Sequence, residues 1–374
     1  MSNVIIFPTA TLLNNQRRLY EGIKDTIHKL RKGGNTIVFM SHDKSNFTEI
    51  INEFDFAKLA FRRDVREVIK ADENRTFIIV GSSDDDLFIA SSRKVILLNP
   101  LWSDVQEEKA VKYGLGVKSP ELLFKIIQII ENQSTWFYSL EVDNKTKVYS
   151  LTSANTMGAG YSQSELEIVE GFRRVLKEGD KKYFNVLQLH FLASIINNQE
   201  FKEVDIWAIM PSSDIELNDA CWELKERARL VMGKQKKEPL FIRHTTTTKS
   251  RTMTEKDRLY CGRHFETINI NPQYSKSLKN KTICVIDDYL TNGTSFETLR
   301  NLLYSLGVKK IIFVSLGRFK KKNGIEYYKQ DYRITGDVFG NSYKYDLLAE
   351  KNISGRYNLE ARTEIKELHD ILHK

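Results

Sequence analysis

The chain has 374 residues, 41% of them hydrophobic and 11% aromatic, which is enough apolar material for two packed domains and excludes an intrinsically disordered protein. Its 57 basic and 49 acidic residues leave a net charge of +8, a balance that suits phosphate-rich small ligands and also nucleic acid. No apolar run reaches membrane length and the opening residues lack a secretory-leader layout, so the chain reads as cytoplasmic, with no membrane association.

The three cysteines, Cys221, Cys261 and Cys284, have no metal-type spacing and read as reduced thiols. The seven histidines form no zinc pattern. Val4–Phe7 is a short apolar strand, followed by helical periodicity over 14–32 through Leu19, Ile23, Ile27 and Leu30, stopped by Gly33 and Gly34. Further strands are expected at Thr36–Met40, Thr76–Val80 and Lys94–Leu98. Strands alternating with helices imply a parallel, doubly wound sheet, with Pro8–Thr11, Ser41 and residues 81–86 along one edge.

The stretch Gly81-Ser-Ser-Asp84-Asp85-Asp86-Leu-Phe-Ile-Ala90, with Ser41 after the second strand, resembles the haloacid-dehalogenase-like (HAD) phosphatase fold. Lys70 stands in for that family's lysine. In the family the first strand delivers a nucleophilic Asp and a second Asp two residues later. Here Pro8 and Ala10 take those places, and neither side chain attacks a phosphate or binds a metal. The resemblance therefore implies a Rossmann-like domain over 1–133, inactive as a phosphatase and serving binding, docking or structure. Asp84, Asp85 and Asp86 read as caps of the following helix.

Ser119 and Pro120 start an apolar helix ending near Asn132, and Trp136–Val142 with Lys147–Thr152 reads as a hairpin opening a new domain. Ser162 and Glu165 form a capping box for a helix with Leu166, Val169, Phe172 and Leu176 on one face. A second helix is expected from about Tyr183 to Asn197, then a strand at Val204–Met210 and a loop, Pro211–Asp214, with no basic residue.

The run Val285-Ile-Asp287-Asp288-Tyr-Leu-Thr291-Asn-Gly293-Thr-Ser295 is the most informative in the chain. An apolar strand ends in two acids, a polar turn follows, and a helix begins near Phe296 with Leu299, Leu302 and Leu303 on its face. Ligands of open α/β sheets bind beyond the carboxyl ends of strands, and a helix amino terminus favours an anion. Two carboxylates can accept hydrogen bonds from a diol or hold a hydrated Mg²⁺, so the pattern suits a sugar carrying a phosphate.

This run resembles the 5-phosphoribosyl-1-pyrophosphate (PRPP) signature of type I phosphoribosyltransferases. The resemblance implies that Asp287 and Asp288 hold the ribose hydroxyls, and Mg²⁺ through ligand or water, while Thr291, Asn292, Gly293, Thr294 and Ser295 wrap the 5-phosphate. Upstream, Arg243, the threonines that follow it, Lys249, Arg251, Arg258 and Arg263 resemble the ComF-like branch of the family, where such residues neutralise the pyrophosphate. In the family the loop at 211–214 often carries a basic residue, which is lacking here.

The expected fold class is thus α/β with two doubly wound domains, HAD-like over 1–133 and of type I phosphoribosyltransferase fold over 134–320. An extension over 321–374 ends in a helix from Asn358 to His373 with Leu359, Ile365, Leu368 and Leu372 as its apolar face. The expected function is Mg²⁺-dependent phosphoribosyl transfer to a base, nucleotide or related acceptor. The alternatives are a PRPP- or nucleotide-binding regulatory or effector subunit with a protein partner, in a stress or phage-defence role by analogy, and nucleic-acid binding through Lys234–Lys237 and Arg318–Lys322.

Overall fold

The computed structural model describes residues 3–372 except 49, 73–74, 134, 157–159, 236–237, 248–252, 255 and 321–323, and the statements below concern those residues. The first sheet is parallel throughout, built from β1 (Val4–Pro8), β2 (Thr36–Ser41), β3 (Lys58–Phe61), β4 (Phe77–Val80), β5 (Ile96–Pro100) and β6 (Leu115–Val117), in the order β3-β2-β1-β4-β5-β6. Helices α1 (Ile23–Lys32), α2 (Arg62–Ala71), α3 (Asp84–Ser92), α4 (Glu108–Tyr113) and α5 (Pro120–Asn132) connect or follow its strands. Both faces of this sheet are apolar because both are covered. Ile5, Phe7, Ile37 and Phe39 point toward α1 and α5, while Val4, Ile6, Val38 and Met40 pack with Val65, Ile69, Leu87 and Ile89 of α2 and α3.

The second sheet is mixed. Its elements are β7 (Tyr138–Asp143), β8 (Thr146–Ser153), α6 (Gln163–Glu178), α7 (Phe184–Ile196), α8 (Gln199–Lys202), β9 (Ile206–Ile209), α9 (Asp219–Val231), β10 (Phe241–Arg243), α10 (Gly262–Phe265), β11 (Ile268–Ile270), β12 (Thr282–Leu290), α11 (Thr294–Ser305), β13 (Lys310–Arg318), β14 (Tyr327–Thr335), β15 (Lys344–Ile353), β16 (Arg356–Tyr357) and α12 (Ala361–Leu372). The strand order is β16-β7-β8-β13-β12-β9, with β8, β13, β12 and β9 parallel and the β16–β7–β8 end antiparallel. Two antiparallel ribbons, β10–β11 and β14–β15, stand beside it. The chain is α/β, with a six-stranded parallel sheet and a mixed sheet.

One apolar core spans both sheets. It runs from Ile5 and Phe39 through Ile126 and Ile130 of α5 and Leu187 and Phe191 of α7 to Ile286, Ile312 and Val314 of the second sheet. Twelve of the thirteen residues of α7 are buried, all but Asn185, and apolar side chains lie on all its sides, as befits a helix enclosed between two layers. The passage from α5 to β7 marks where one sheet ends and the other begins, and the core continues across it.

Several expectations are corrected. Helix α1 starts only at Ile23, after Gly22 at φ 76°, and Leu13 bridges Leu19 in the preceding turn, so the periodicity of 14–22 belongs to a folded loop. The strand expected at Lys94 begins at Ile96, since Lys94 takes a positive φ of 55°. The capping box at α6 is half made. Ser162 accepts the Glu165 N–H, but the Glu165 carboxylate is engaged by Arg362 (2.5 and 2.9 Å). Leu359 lies outside α12 and is 60% exposed, while Ala361, Ile365 and Leu368 are buried. Residues 325–357, in which no element was legible, form β14, β15 and β16. His373 and part of each lysine-rich run lie outside the described residues.

Candidate functional site

Strand β12 continues past its apolar core of residues 283–286 to Leu290. It pairs with β13 as far as Leu290↔Arg318, but with β9 only as far as Ile286↔Ile209. The two acids, expected at the carboxyl end of the apolar strand, lie just inside the end of β12, at the point where β9 departs and one edge of β12 opens. A cleft of about 450 Å³ lies there, lined by Asp287, Tyr289, Thr291, Asn292, Gly293, Thr294 and Ser295 together with Arg258, Arg263, Asn155, Phe319 and Lys320.

Helix α11 begins at Thr294, two residues earlier than its apolar face implies, because Gly293 caps it at φ 86°. Its first backbone bond is Glu297 N–H to the Gly293 carbonyl, so the N–H groups of Thr294, Ser295 and Phe296 precede the helical ladder. A Cβ on residue 293 would lie 2.5 Å from Tyr327 Cε2, so both the positive φ and the packing demand glycine. Thr294 turns inward. Its hydroxyl donates to the Arg258 carbonyl (2.7 Å), which also accepts from Asn292 Nδ2 (3.2 Å). Asn292 and Thr294 thus pin the 258 segment over the loop, leaving Thr291 and Ser295 as the half-exposed hydroxyls of the cleft.

The acid pair is not symmetric. Asp287 Oδ1 accepts the Asp288 N–H (2.8 Å) and Asp288 Oδ1 accepts the Tyr289 N–H (2.6 Å). Asp288 Oδ2 is bonded to the ammonium of Lys177, from the last turn of α6, which also lies 5.4 Å from the centre of the Tyr289 ring. Burial and the Asp288 charge push the Asp287 carboxyl up from its ordinary range. Burial alone lowers Lys177, but Asp288 and Asp287 reverse that and raise it. The sequence offered no signal for Lys177, since a lysine near the end of a helix is an ordinary surface residue.

Of the basic residues expected here, Arg258 and Arg263 line the cleft, while Lys249 and Arg251 lie outside the described residues. Arg243 is buried beneath it, which corrects its assignment as a ligand-facing group. Its Nε donates to the Ser212 carbonyl, Nη1 to Thr267 Oγ1 (2.5 Å), and Nη2 lies 3.3 Å from His264 Nδ1. Burial lowers Arg243, to about 10, and Arg263 adds to this, while Asp287 and Asp214 oppose it. The loop at 211–214, which has no basic residue of its own, therefore receives a guanidinium from β10, and the Ser213 carbonyl accepts the Thr247 N–H (2.9 Å).

The first sheet's carboxyl edge has a different character. Ser83 and Asp86 form a complete capping box on α3, as expected of Asp86, whereas Asp84 accepts the N–H groups of Lys109 and Ala110 (2.9 and 3.1 Å) at the start of α4 and not of the helix that follows it. Lys70 is exposed on α2. The basic side chain at this edge is Arg62, at the start of α2, 2.7 Å from Asp86.

Among the described residues no group of three or more His, Cys, Asp or Glu side chains is placed to hold a metal ion. Three of the four oxygens of the acid pair already accept N–H or ammonium hydrogens. That donor set does not fit a resident Mg²⁺, which favours several oxygen ligands with geometry close to octahedral. No helix of the described residues is long and apolar enough to cross a membrane. Scanned against models of known protein families the sequence matches none, and a search of curated proteins finds no significant match.

Proposed function

We propose that the cleft binds a ribose carrying a 5-phosphate, of the PRPP type, and that the chain is a phosphoribosyltransferase-like protein acting on a base, nucleotide or related acceptor. The observation that carries this reading is the meeting, in one cleft, of the Asp287 carboxyl at the open edge of β12, the amino terminus of α11 and two arginines from the 258–263 segment.

Each part has a task. The N–H groups at the start of α11, with Thr291 and Ser295, suit a dianionic phosphate. Asp287 accepts hydrogen bonds from a ribose diol and fixes the ring. Arg258, Arg263 and Lys320 neutralise a pyrophosphate, and Arg243 holds the 211–214 loop beside it. As the bond from C1 to pyrophosphate breaks, positive charge grows on the ribose, and the carboxylate of Asp287 set beside it stabilises that charge. Tyr289 and Phe319, with ring centres 5.2 Å apart, wall the side from which an acceptor enters.

The first test is isothermal titration with PRPP on the wild type and on Asp287→Asn/Asp288→Asn. Binding by the wild type and its loss in the double variant are expected. Absence of binding by folded wild type overturns the reading. Pyrophosphate release with a panel of bases and nucleotides then reports turnover.

A second reading, a ligand-binding effector without turnover, is favoured by one observation. The loop that would hold the phosphate is bonded to the β14–β15 ribbon through Tyr328 N–H to the Asn292 carbonyl (2.9 Å) and through Arg318 to the Thr291 and Glu326 carbonyls. Eight of the ten residues of β15 are exposed, so loop occupancy has a route to the surface. Tight binding of PRPP without pyrophosphate release across acceptors would favour it. The HAD-like assignment of the first domain rests on its sequence motif together with the strand order, and carries no phosphatase activity, since Pro8 at the end of β1 and Ala10 in the turn after it offer no nucleophile.

A further inference from the structure

The mismatch between the acid pair and a divalent cation has a positive counterpart. We infer that Lys177 takes the metal's place at the acid pair, so that the cleft binds its ribose-phosphate ligand without a divalent cation. This rests on the PRPP-type reading above.

A cation beside two adjacent carboxylates has one indispensable task before any ligand arrives, which is to offset their mutual repulsion. A bound ion is one way to supply it, and a side chain is another. Here the side chain is present. The Lys177 ammonium is bonded to Asp288 Oδ2.

The placement of Lys177 is built in by the fold. Helix α6 stops one residue beyond Glu178, at Gly179 with φ 73°, and Asn218 Nδ2 donates to the Leu176 carbonyl (2.9 Å), tying the last turn of α6 to the start of α9. The Tyr289 ring covers the lysine from the strand side. The Lys177 side chain is half exposed and the Asp288 carboxylate is largely buried, so water screens the pair only in part.

The second task usually given to a divalent ion, neutralising the phosphates of the ligand, also has protein groups to meet it. Arg258, Arg263 and Lys320 line the cleft, and Arg243 lies beneath it. With the outer oxygen of Asp288 held by Lys177, Asp287 is left to meet the diol. A divalent ion binding Asp288 would first have to displace the ammonium, and it would add positive charge where cations already surround the pair.

The test titrates full-length protein with PRPP and with ribose 5-phosphate, each in Mg²⁺ and in EDTA. The proteins are the wild type, Lys177→Met and Lys177→Arg, with circular dichroism confirming that each is folded. Wild-type affinity is expected to change by less than about threefold between the two conditions. In EDTA, Lys177→Met is expected to bind about 10- to 100-fold more weakly, the loss of one charged hydrogen-bonding group, with Mg²⁺ restoring part of the affinity and Lys177→Arg retaining most of it. Wild-type binding that requires Mg²⁺, or unchanged binding by Lys177→Met in EDTA, overturns the inference and leaves the PRPP-type reading standing. Binding of neither ligand by the wild type in either condition overturns both.

Discussion

Asp287 keeps its proton more tightly than a free aspartate because burial and the neighbouring Asp288 both oppose its charge. The folded chain therefore binds a proton that the unfolded chain has already released, and stability falls as pH rises from the ordinary aspartate range toward the raised one. Asp287→Asn removes that dependence. Thermal melts at pH 5 and pH 8 should show the variant gaining on the wild type at the higher pH, by about 1 kcal/mol, while PRPP titration shows weakened binding. Gly293 behaves in the opposite way. Gly293→Ala places a Cβ at φ 86° against the Tyr327 ring, and should cost about 1–3 kcal/mol in urea unfolding, with the start of α11 shifted. The glycine was legible as a turn residue, but its partner Tyr327 was not, because nothing local marks a contact made 34 positions away in the chain.

Among the elements, α11 and β14 are joined by a buried ionic cluster. Glu297 is fully buried, accepts from Tyr327 Oη (2.8 Å) and the Gln330 N–H (2.9 Å), and faces Arg300 Nη2 at 2.6 Å. Arg300 also reaches Asp143 and Asp331 at 3.3 and 2.7 Å. Removing Arg300 takes the guanidinium away from the buried Glu297 carboxylate, so Arg300→Met should lower unfolding free energy by about 3–5 kcal/mol, and chemical denaturation measures it. The sequence shows why such features are hard to read. The apolar cores of β1, β2, β4 and β12, and Gly307 with its φ of 68° just after α11, follow local rules of period and turn chemistry. The exposed β15 and the two-residue β16 do not, for they are held by pairing with β14 and β7 and carry little apolar pattern of their own. The same division holds at the cleft. Residues 287–295, Arg258 and Arg263 carry their chemistry in their types and spacing, whereas Lys177, Phe319 and Asn155 arrive from other elements by topology alone.

At the scale of the whole molecule, the shared core predicts shared unfolding. Calorimetry should show one main transition, and residues 1–133 expressed alone should aggregate, because Ile126 and Ile130 of α5 lose their cover from α7 and α12. Two separated transitions would contradict this. Within the core, His190 of α7 is wholly buried, with Nδ1 2.8 Å from Gln133 Oε1, and burial lowers it to about 3. The folded state refuses a proton that the unfolded state takes up below pH 6.5, so stability is lost as pH falls from there toward 3. Between pH 7.5 and pH 5 the wild type should lose about 2 kcal/mol more than His190→Gln, as read from urea midpoints at each pH.

Helix α7 has no polar face to show to water, and its covers arrive at very different times when the chain is made from its amino end. The first sheet and α5 precede it, but β12 and β13, which close the second sheet around it, and α12, which lies against α5 and α6, are translated more than 80 residues later. For that interval a nascent chain on the ribosome carries α7 only partly shielded, by α5, α6, β8 and then α9, beside a finished first sheet. The price of binding two sheets to one middle layer is a long wait for a chaperone's shelter during synthesis, and co-translational aggregation is the hazard this architecture carries from birth.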